Sequence, residues 1–214
     1  MVEALVFDAY GTLFDVHSVQ ARGEVLWPGK GAVLSQLWRA KQLEYTWQRS
    51  LMGRYAPFSQ VTREALEFAC MSLALPLDGS KIETLMREYL RLALYPEVAG
   101  AMKKLNSRKR AILSNGSPDM LGPLVAQSGL QFDAVLSVDE LKIYKPAPAV
   151  YELAVRKLNT PKERIAFVSS NCWDALGAKS FGFTVYWINR AGAPLDSLGL
   201  RPDSIVKSLD EVLP

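Results

Sequence analysis

Apolar residues along this chain fall into two kinds of pattern, and the two occupy different stretches. Short, almost continuous apolar runs sit at Val2 to Phe7, Arg110 to Leu113, Ala134 to Val138, Ile165 to Val168 and Thr184 to Ile188. Runs of that length without polar alternation suit strands buried on both faces, as in a parallel sheet. Helical patterns separate them. Ser117-Pro118 has the form of an N-cap followed by proline at the first helical position. Another helix closes at Lys157–Leu158, ahead of Pro161. Strands alternating with helices predict right-handed crossovers, hence an α/β fold with a mainly parallel sheet of about five or six strands flanked by helices.

The stretch from Asp15 to Leu94 breaks this alternation. Lys30 to Met52 carries Leu34, Leu37, Trp38, Leu43, Trp47 and Leu51 near helical spacing, and Thr62 to Leu75 reads as a second helix. Ser80 and Glu83 have capping-box spacing and predict the start of a third. Tyr95-Pro96 reads as a return linker. The expected organisation is a core from residues 1–14 and 95–214, with an all-helical cap from residues 15–94 inserted after the first strand. Active sites of open α/β sheets lie at the carboxyl ends of the strands, so such a cap would cover that edge.

Composition narrows the class without choosing a function. The 214 residues are 49% hydrophobic and 22% charged, which excludes a disordered or collagenous chain. A net charge of +3, dispersed, gives no reason to expect nucleic acid. The cluster Lys103, Lys104, Arg108, Lys109 and Arg110 reads as a solvated helix end. No apolar stretch has membrane-spanning length and no signal-peptide pattern follows Met1, so no membrane partner is expected. Cys70 and Cys172 lie far apart and predict reduced thiols in a cytoplasmic setting. A single histidine, His17, excludes a multi-histidine metal site, and a structural role is expected for it. There is no phosphate-binding glycine loop: Gly29-Lys30-Gly31 lacks the third glycine and the preceding strand. No cofactor is expected.

The chemistry-bearing residues gather at strand ends. Asp8 follows Leu5-Val6-Phe7, and Ser114-Asn115-Gly116 follows Ala111-Ile112-Leu113. Lys145 lies beyond the third strand, and Ser169, Asn171 and Asp174 follow Ile165 to Val168. Each has an ordinary reading in isolation, as turn or cap chemistry. In a parallel sheet, however, all these ends point to one rim.

These residues resemble the haloacid dehalogenase superfamily. Phe7-Asp8-Ala9-Tyr10-Gly11-Thr12-Leu13 is similar to its first motif, Ser114-Asn115 to its second and Lys145-Pro146 to its third, while Ser169 to Asp174 occupies its fourth. Within the superfamily the chain looks like the L-2-haloacid dehalogenases, including the cap stretch Leu37 to Tyr45. The resemblance implies a Rossmann-like core, a homodimer, and a small haloacid substrate with a halide product. Two departures from the superfamily's phosphatases bear on the chemistry. Tyr10 stands where those enzymes carry a second Asp, and the fourth motif has one acid, Asp174. Mg²⁺ favours octahedral oxygen coordination with one or two carboxylates plus substrate phosphate, so a metal-free site is expected, with Lys145 keeping Asp8 ionised.

By resemblance Asp8 is the nucleophile, forming an ester with inversion at the halogen-bearing carbon, and Arg39 cradles the departing halide. Phe58, Asn115 and Trp173 match positions that wall the pocket, and Tyr151 matches one that contacts the catalytic network. Ser114, Tyr10 and the backbone N–H groups near Ala9 are candidates for holding the substrate carboxylate. Thr12 is expected to orient Asp8. Asp174 is the expected base for the water, with Ser169 and Asn171 as positioning groups. Two alternatives remain open at this point. A Mg²⁺-dependent phosphatase would share Asp8, Thr12, Ser114 and Lys145. A non-catalytic binding module would be marked by a broken first motif.

Overall fold

The computed structural model describes residues 1–212. Six parallel strands form one sheet: β1 (Ala4–Phe7), β2 (Lys109–Ser114), β3 (Ala134–Ser137), β4 (Ile165–Ser169), β5 (Thr184–Ile188) and β6 (Ser204–Val206), in the order β3-β2-β1-β4-β5-β6. β1 lies between β2 and β4, with Phe7 paired to Ile112 on one side and Val168 on the other. All four of its residues are buried, which is why its sequence is apolar without alternation. The third strand ends at Ser137, one residue before the expected Val138, because Ser137 caps the short helical turn that follows. β6 has only three residues and exposes Ile205, so it leaves no periodic signal.

The crossover helices are α5 (Val98–Lys104), α6 (Pro118–Ser128), α7 (Pro148–Leu158) and α8 (Cys172–Phe181). Pro118 opens α6 as expected, but the Ser117 side chain makes no capping bond within that helix. Its Oγ accepts the Ser59 N–H instead, across to the helical block.

Four helices lie between β1 and β2: α1 (Gln20–Leu26), α2 (Gly31–Leu51), α3 (Phe58–Ser72) and α4 (Gly79–Tyr89). Two expectations need correction here, and one helix was not singled out. α3 begins at Phe58, four residues before Thr62, because Pro57 fits the position just ahead of a helix. Ser80 and Glu83 do not form a capping box: Asp78 caps α4, accepting from the Ser80 and Lys81 N–H groups. α1 was not expected, since Gly23 is its only buried residue and it therefore has no apolar stripe. The block touches the strand rim through Tyr55 Oη, which donates to Asp139 (2.7 Å), and Tyr144 Oη, which donates to Ala56 O (2.6 Å).

The basic cluster is more engaged than a solvated helix end. Lys109 Nζ donates to Leu158 O, Arg110 to Met102 O and Arg108 to Val2 O, so these cations close helix ends and strand starts. Among the described residues, no helix is long and apolar enough to cross a membrane.

One close approach sets the distance between α8 and the loop carrying Lys145. A Cβ on Gly177 would lie 2.5 Å from Pro146 Cβ and 2.5 Å from Tyr151 Oη. Alanine normally stabilises a helix interior by about 1 kcal/mol over glycine. Gly177→Ala is nevertheless expected to destabilise the protein by ~1–3 kcal/mol through overpacking, measured by urea denaturation; unchanged or increased stability would contradict this contact.

Candidate active site

In a sheet of order 3-2-1-4-5-6 the connections leave in opposite directions from β1 and β4, opening a crevice at their carboxyl ends. Asp8 is the first residue past β1, and its N–H still bonds to Val168 O (3.0 Å), extending the ladder by one step. Its carboxylate meets three donors. Thr12 Oγ1 lies 2.9 Å and Asn171 Nδ2 2.7 Å from Oδ2, and Lys145 Nζ lies 3.2 Å from Oδ1. The left-handed backbone of Gly11 (φ 88°) lets the loop return so that Thr12 faces Asp8. Thr12 Oγ1 also accepts the Ser170 N–H (2.8 Å), tying the loops after β1 and β4 together.

Lys145 reaches a second carboxylate, Asp174 Oδ2, at 2.9 Å. Tyr151 Oη donates to Asp174 Oδ1 at 2.8 Å. Asn115 Oδ1 accepts the Lys145 N–H (3.0 Å) and so holds that loop in place. Asp8, Lys145 and Asp174 are all buried. Burial alone would lower the Lys145 pKa, but Asp174 and Asp8 outweigh it and the net shift is upward. Burial raises the Asp174 pKa more than Lys145 lowers it. The two shifts pull the pair in opposite senses. One ammonium facing two carboxylates keeps Lys145 charged. Burial, then Asp174, pushes the Tyr151 phenol well up, so it remains a donor.

A small closed pocket lies against this cluster. Asp8, Asn115 and Asn171 form its polar wall, with Arg39 arriving from α2. Tyr10, Phe58 and Trp173 form the aromatic wall; Tyr10 packs on Phe58 with ring centroids 5.5 Å apart, and Trp47 meets Trp173 edge-on at 5.6 Å. Leu43 completes the lining. Arg39, Leu43, Asn171 and Trp173 also line an open groove of about 560 Å³, which leads outward past His17, Tyr95 and Arg190. A hollow of about 620 Å³ along Tyr45 and Arg49 holds none of these groups.

Other expected site residues lie elsewhere. Ser114 and Ala9 do not line the closed pocket. Ser114 Oγ accepts the Gly116 N–H, and Ala9 O accepts from Thr12, Leu13 and Phe14, so both shape loops. Ser169 Oγ accepts the Asn171 N–H at 3.1 Å, which sets the start of α8. His17 Nδ1 lies 3.1 Å from Ser35 Oγ, away from the carboxylates.

The sequence reading overlooked two residues. Arg190 donates to Gly11 O, Thr12 O and Ser170 Oγ, pairs with Glu97 and lies over the Tyr95 ring (3.8 Å). It lies two residues past the end of β5, close to the carboxyl-end rim where Asp8 follows β1, so a slightly wider strand-end criterion would have found it. Gln42, fully buried on α2, accepts from Arg39 at 2.7 Å. Its position between Lys41 and Leu43 offers no comparable signal.

Mg²⁺ favours octahedral oxygen coordination, and the donors here do not fit that ion. Tyr10 supplies no carboxylate, the segment after β4 offers the single acid Asp174, and that acid and Asp8 are already paired with Lys145. Among the described residues no group of three or more His, Cys, Asp or Glu side chains is arranged to hold a metal.

The profile of the haloacid dehalogenase-like hydrolase family matches residues 2–182. An (S)-2-haloacid dehalogenase of Pseudomonas sp. (strain YL) is 50% identical, covering 99% of this chain and 93% of its own. Haloacetate dehalogenase H-2 of Moraxella sp. (strain B) is 47% identical over 99% of this chain and 96% of its own. Among solved structures, the L-2-haloacid dehalogenase from Xanthobacter autotrophicus with covalently bound chloropropionic acid is 43% identical. It superposes with a TM-score of 0.92 over 98% of this chain and 96% of its own.

Removing the ammonium should expose the charge imbalance. Lys145→Met is expected to lose ~3–5 kcal/mol of stability at pH 7 by leaving buried carboxylates uncompensated. Burial then acts on Asp174 without its partner, raising its pKa above the unfolded value. The folded state binds that proton more tightly, so stability should recover as pH falls from neutral through the raised pKa. Urea denaturation across that range checks this; a loss that grows toward low pH would contradict the sign.

Proposed function

The chain belongs to the haloacid dehalogenase-like hydrolases, on their (S)-2-haloacid dehalogenase branch, and we propose that it hydrolyses short L-2-haloalkanoic acids to D-2-hydroxy acids. The observation that carries this reading is the Asp8 carboxylate, held by Lys145, Thr12 and Asn171 and facing a closed pocket with Arg39 and an aromatic wall. A phosphatase reading has no such support, since the Mg²⁺ donor set does not fit. The first motif is intact, which argues against a non-catalytic binding module.

In the mechanism we assign, an Asp8 oxygen attacks the carbon bearing the halogen from the face opposite the halide. The carbon–halide bond breaks with its electron pair, C2 inverts, and an ester to Asp8 forms. Arg39 and Asn115 meet the negative charge growing on the halide, in a setting where Phe58 and Trp173 exclude water. Tyr10 and the backbone near Ala9, with Ser114 shaping the adjacent loop, hold the substrate carboxylate. Water then adds to the ester carbonyl of Asp8, and Asp174 takes its proton. The bond between Asp8 Cγ and the substrate oxygen then breaks, that oxygen takes the proton back from Asp174 and leaves as the hydroxyl of the product, and the Asp8 carboxyl loses its remaining proton to solvent, restoring the carboxylate. Lys145 offsets the charge of both acids throughout; Tyr151 and Thr12 fix their orientations. Ser169 acts through Asn171. Residues 15–94 serve in this reading as a cap that brings Arg39 over the core made by residues 1–14 and 95–214.

The two cysteines are free, Cys70 being buried, which supports a reducing, cytoplasmic setting. We assign a homodimer through the end of α2, where Leu51 is 89% and Met52 61% exposed beside an apolar groove lined by Trp47, Ile143 and Ala147.

Halide release from L-2-chloropropionate should proceed with EDTA present and no added metal. Asp8→Asn should lower it by about 10⁴-fold or more, and Asp174→Asn should form the Asp8 ester but hydrolyse it slowly, leaving an adduct visible in the intact mass. Near-normal turnover by Asp8→Asn would contradict the mechanism. Sedimentation velocity at micromolar concentration should give a dimer, and Leu51→Glu should give a folded monomer; a monomeric parent protein would contradict the assembly.

A further inference from the structure

The two terminal nitrogens of Arg39 are held very differently. Nη1 donates to Gln42 Oε1 at 2.7 Å, whereas Nη2 reaches Tyr10 O and Asn171 Oδ1 only at 3.4 Å each. Good N–H···O bonds cluster near 2.9–3.0 Å. One nitrogen is therefore anchored, and the other is left loosely engaged at the pocket that Asp8 faces.

The anchor is itself built from the α3 side. Gln42 is fully buried, and both ends of its amide are used. Nε2 donates to Thr62 Oγ1 at 2.7 Å, and Oε1 accepts from Tyr89 Oη (3.2 Å) as well as from Arg39. The polarity of this chain is set at Thr62. Its hydroxyl gives its only proton to Phe58 O (2.7 Å), so toward Gln42 it offers lone pairs alone. Gln42 must present its NH₂ there, which turns Oε1 toward the guanidinium. The flipped amide would set acceptor against acceptor at Thr62 and donor against donor at Arg39. Trp38 Nε1, donating to Thr62 O at 2.7 Å, holds this part of α3 against α2.

We propose that Gln42 is a positioning residue for Arg39, oriented by Thr62, and that it fixes Nη1 so that Nη2 is free to meet the departing halide. This rests on the role given above to Arg39. Chloride leaves carbon less readily than bromide, so its release depends more on stabilisation of the developing charge. A displaced Arg39 should therefore slow chloride release selectively, whereas a general loss of packing should slow both.

The test compares single-turnover release of chloride and bromide from L-2-chloropropionate and L-2-bromopropionate. Gln42→Met should slow chloride release about tenfold or more and bromide release by no more than about threefold. Thr62→Val should act in the same direction more weakly, and Thr62→Ser should restore the parent ratio. Arg39→Ala should widen the bromide-to-chloride ratio furthest. Equal slowing of both halides by Gln42→Met, or no slowing, overturns the proposal. If Gln42→Met does not fold, the contrast between Thr62→Val and Thr62→Ser decides alone. An unchanged ratio in Arg39→Ala removes the role of Arg39 itself; a widened ratio there with an unchanged one in Gln42→Met removes only the positioning role.

Discussion

Lys145 Nζ stands 2.9 Å from Asp174 and 3.2 Å from Asp8 in a region closed to solvent, so one ammonium serves two carboxylates. Burying each ion costs several kcal/mol even after relaxation, and short, hydrogen-bonded contacts must return that cost. Thr12, Asn171 and Tyr151 supply the remaining donors to the carboxylates. Tyr10 fits this economy, because a carboxylate at that position would add a further negative charge beside Asp8.

Topology delivers these groups to one point. The crevice between β1 and β4 brings Asp8 and Asn171 together, and the loop carrying Lys145 reaches in from beyond β3. What the sheet does not provide is a cation over the open side. The helical insertion after β1 does, through Arg39 on α2, and it closes the pocket with Phe58 from α3. A site assembled from two layers can exclude water while reacting and still exchange ligands through the groove along Tyr95 and Arg190.

The parts of this account that were legible in the sequence share a physical cause. Strands buried on both faces must be apolar throughout, so β1 and β4 stood out, and the polar residue just past β1 was conspicuous for the same reason. Asp8, Lys145 and Asp174 could thus be placed on one rim before any coordinates. Their particular roles came from resemblance rather than periodicity. β6 and α1 were silent because neither buries an apolar face. The capping error at α4 arose because Asp78 and Ser80 both suit an N-cap, and only the backbone decides between them. Gln42 was hidden for a different reason: a polar residue on an amphipathic helix reads as solvent-facing, and only the packing of α3 and α4 against α2 reveals it as buried.

The central claim is that Asp8, and not water, displaces the halide. A single turnover with enzyme in excess, in ¹⁸O-labelled water, tests it most directly. Water attacking the Asp8 ester carbonyl leaves its oxygen on the enzyme, so the first hydroxy acid released should carry no label, and the peptide containing Asp8 should gain ¹⁸O. Label in the hydroxy acid on that first turnover, with none at Asp8, would show direct displacement by water and contradict the account.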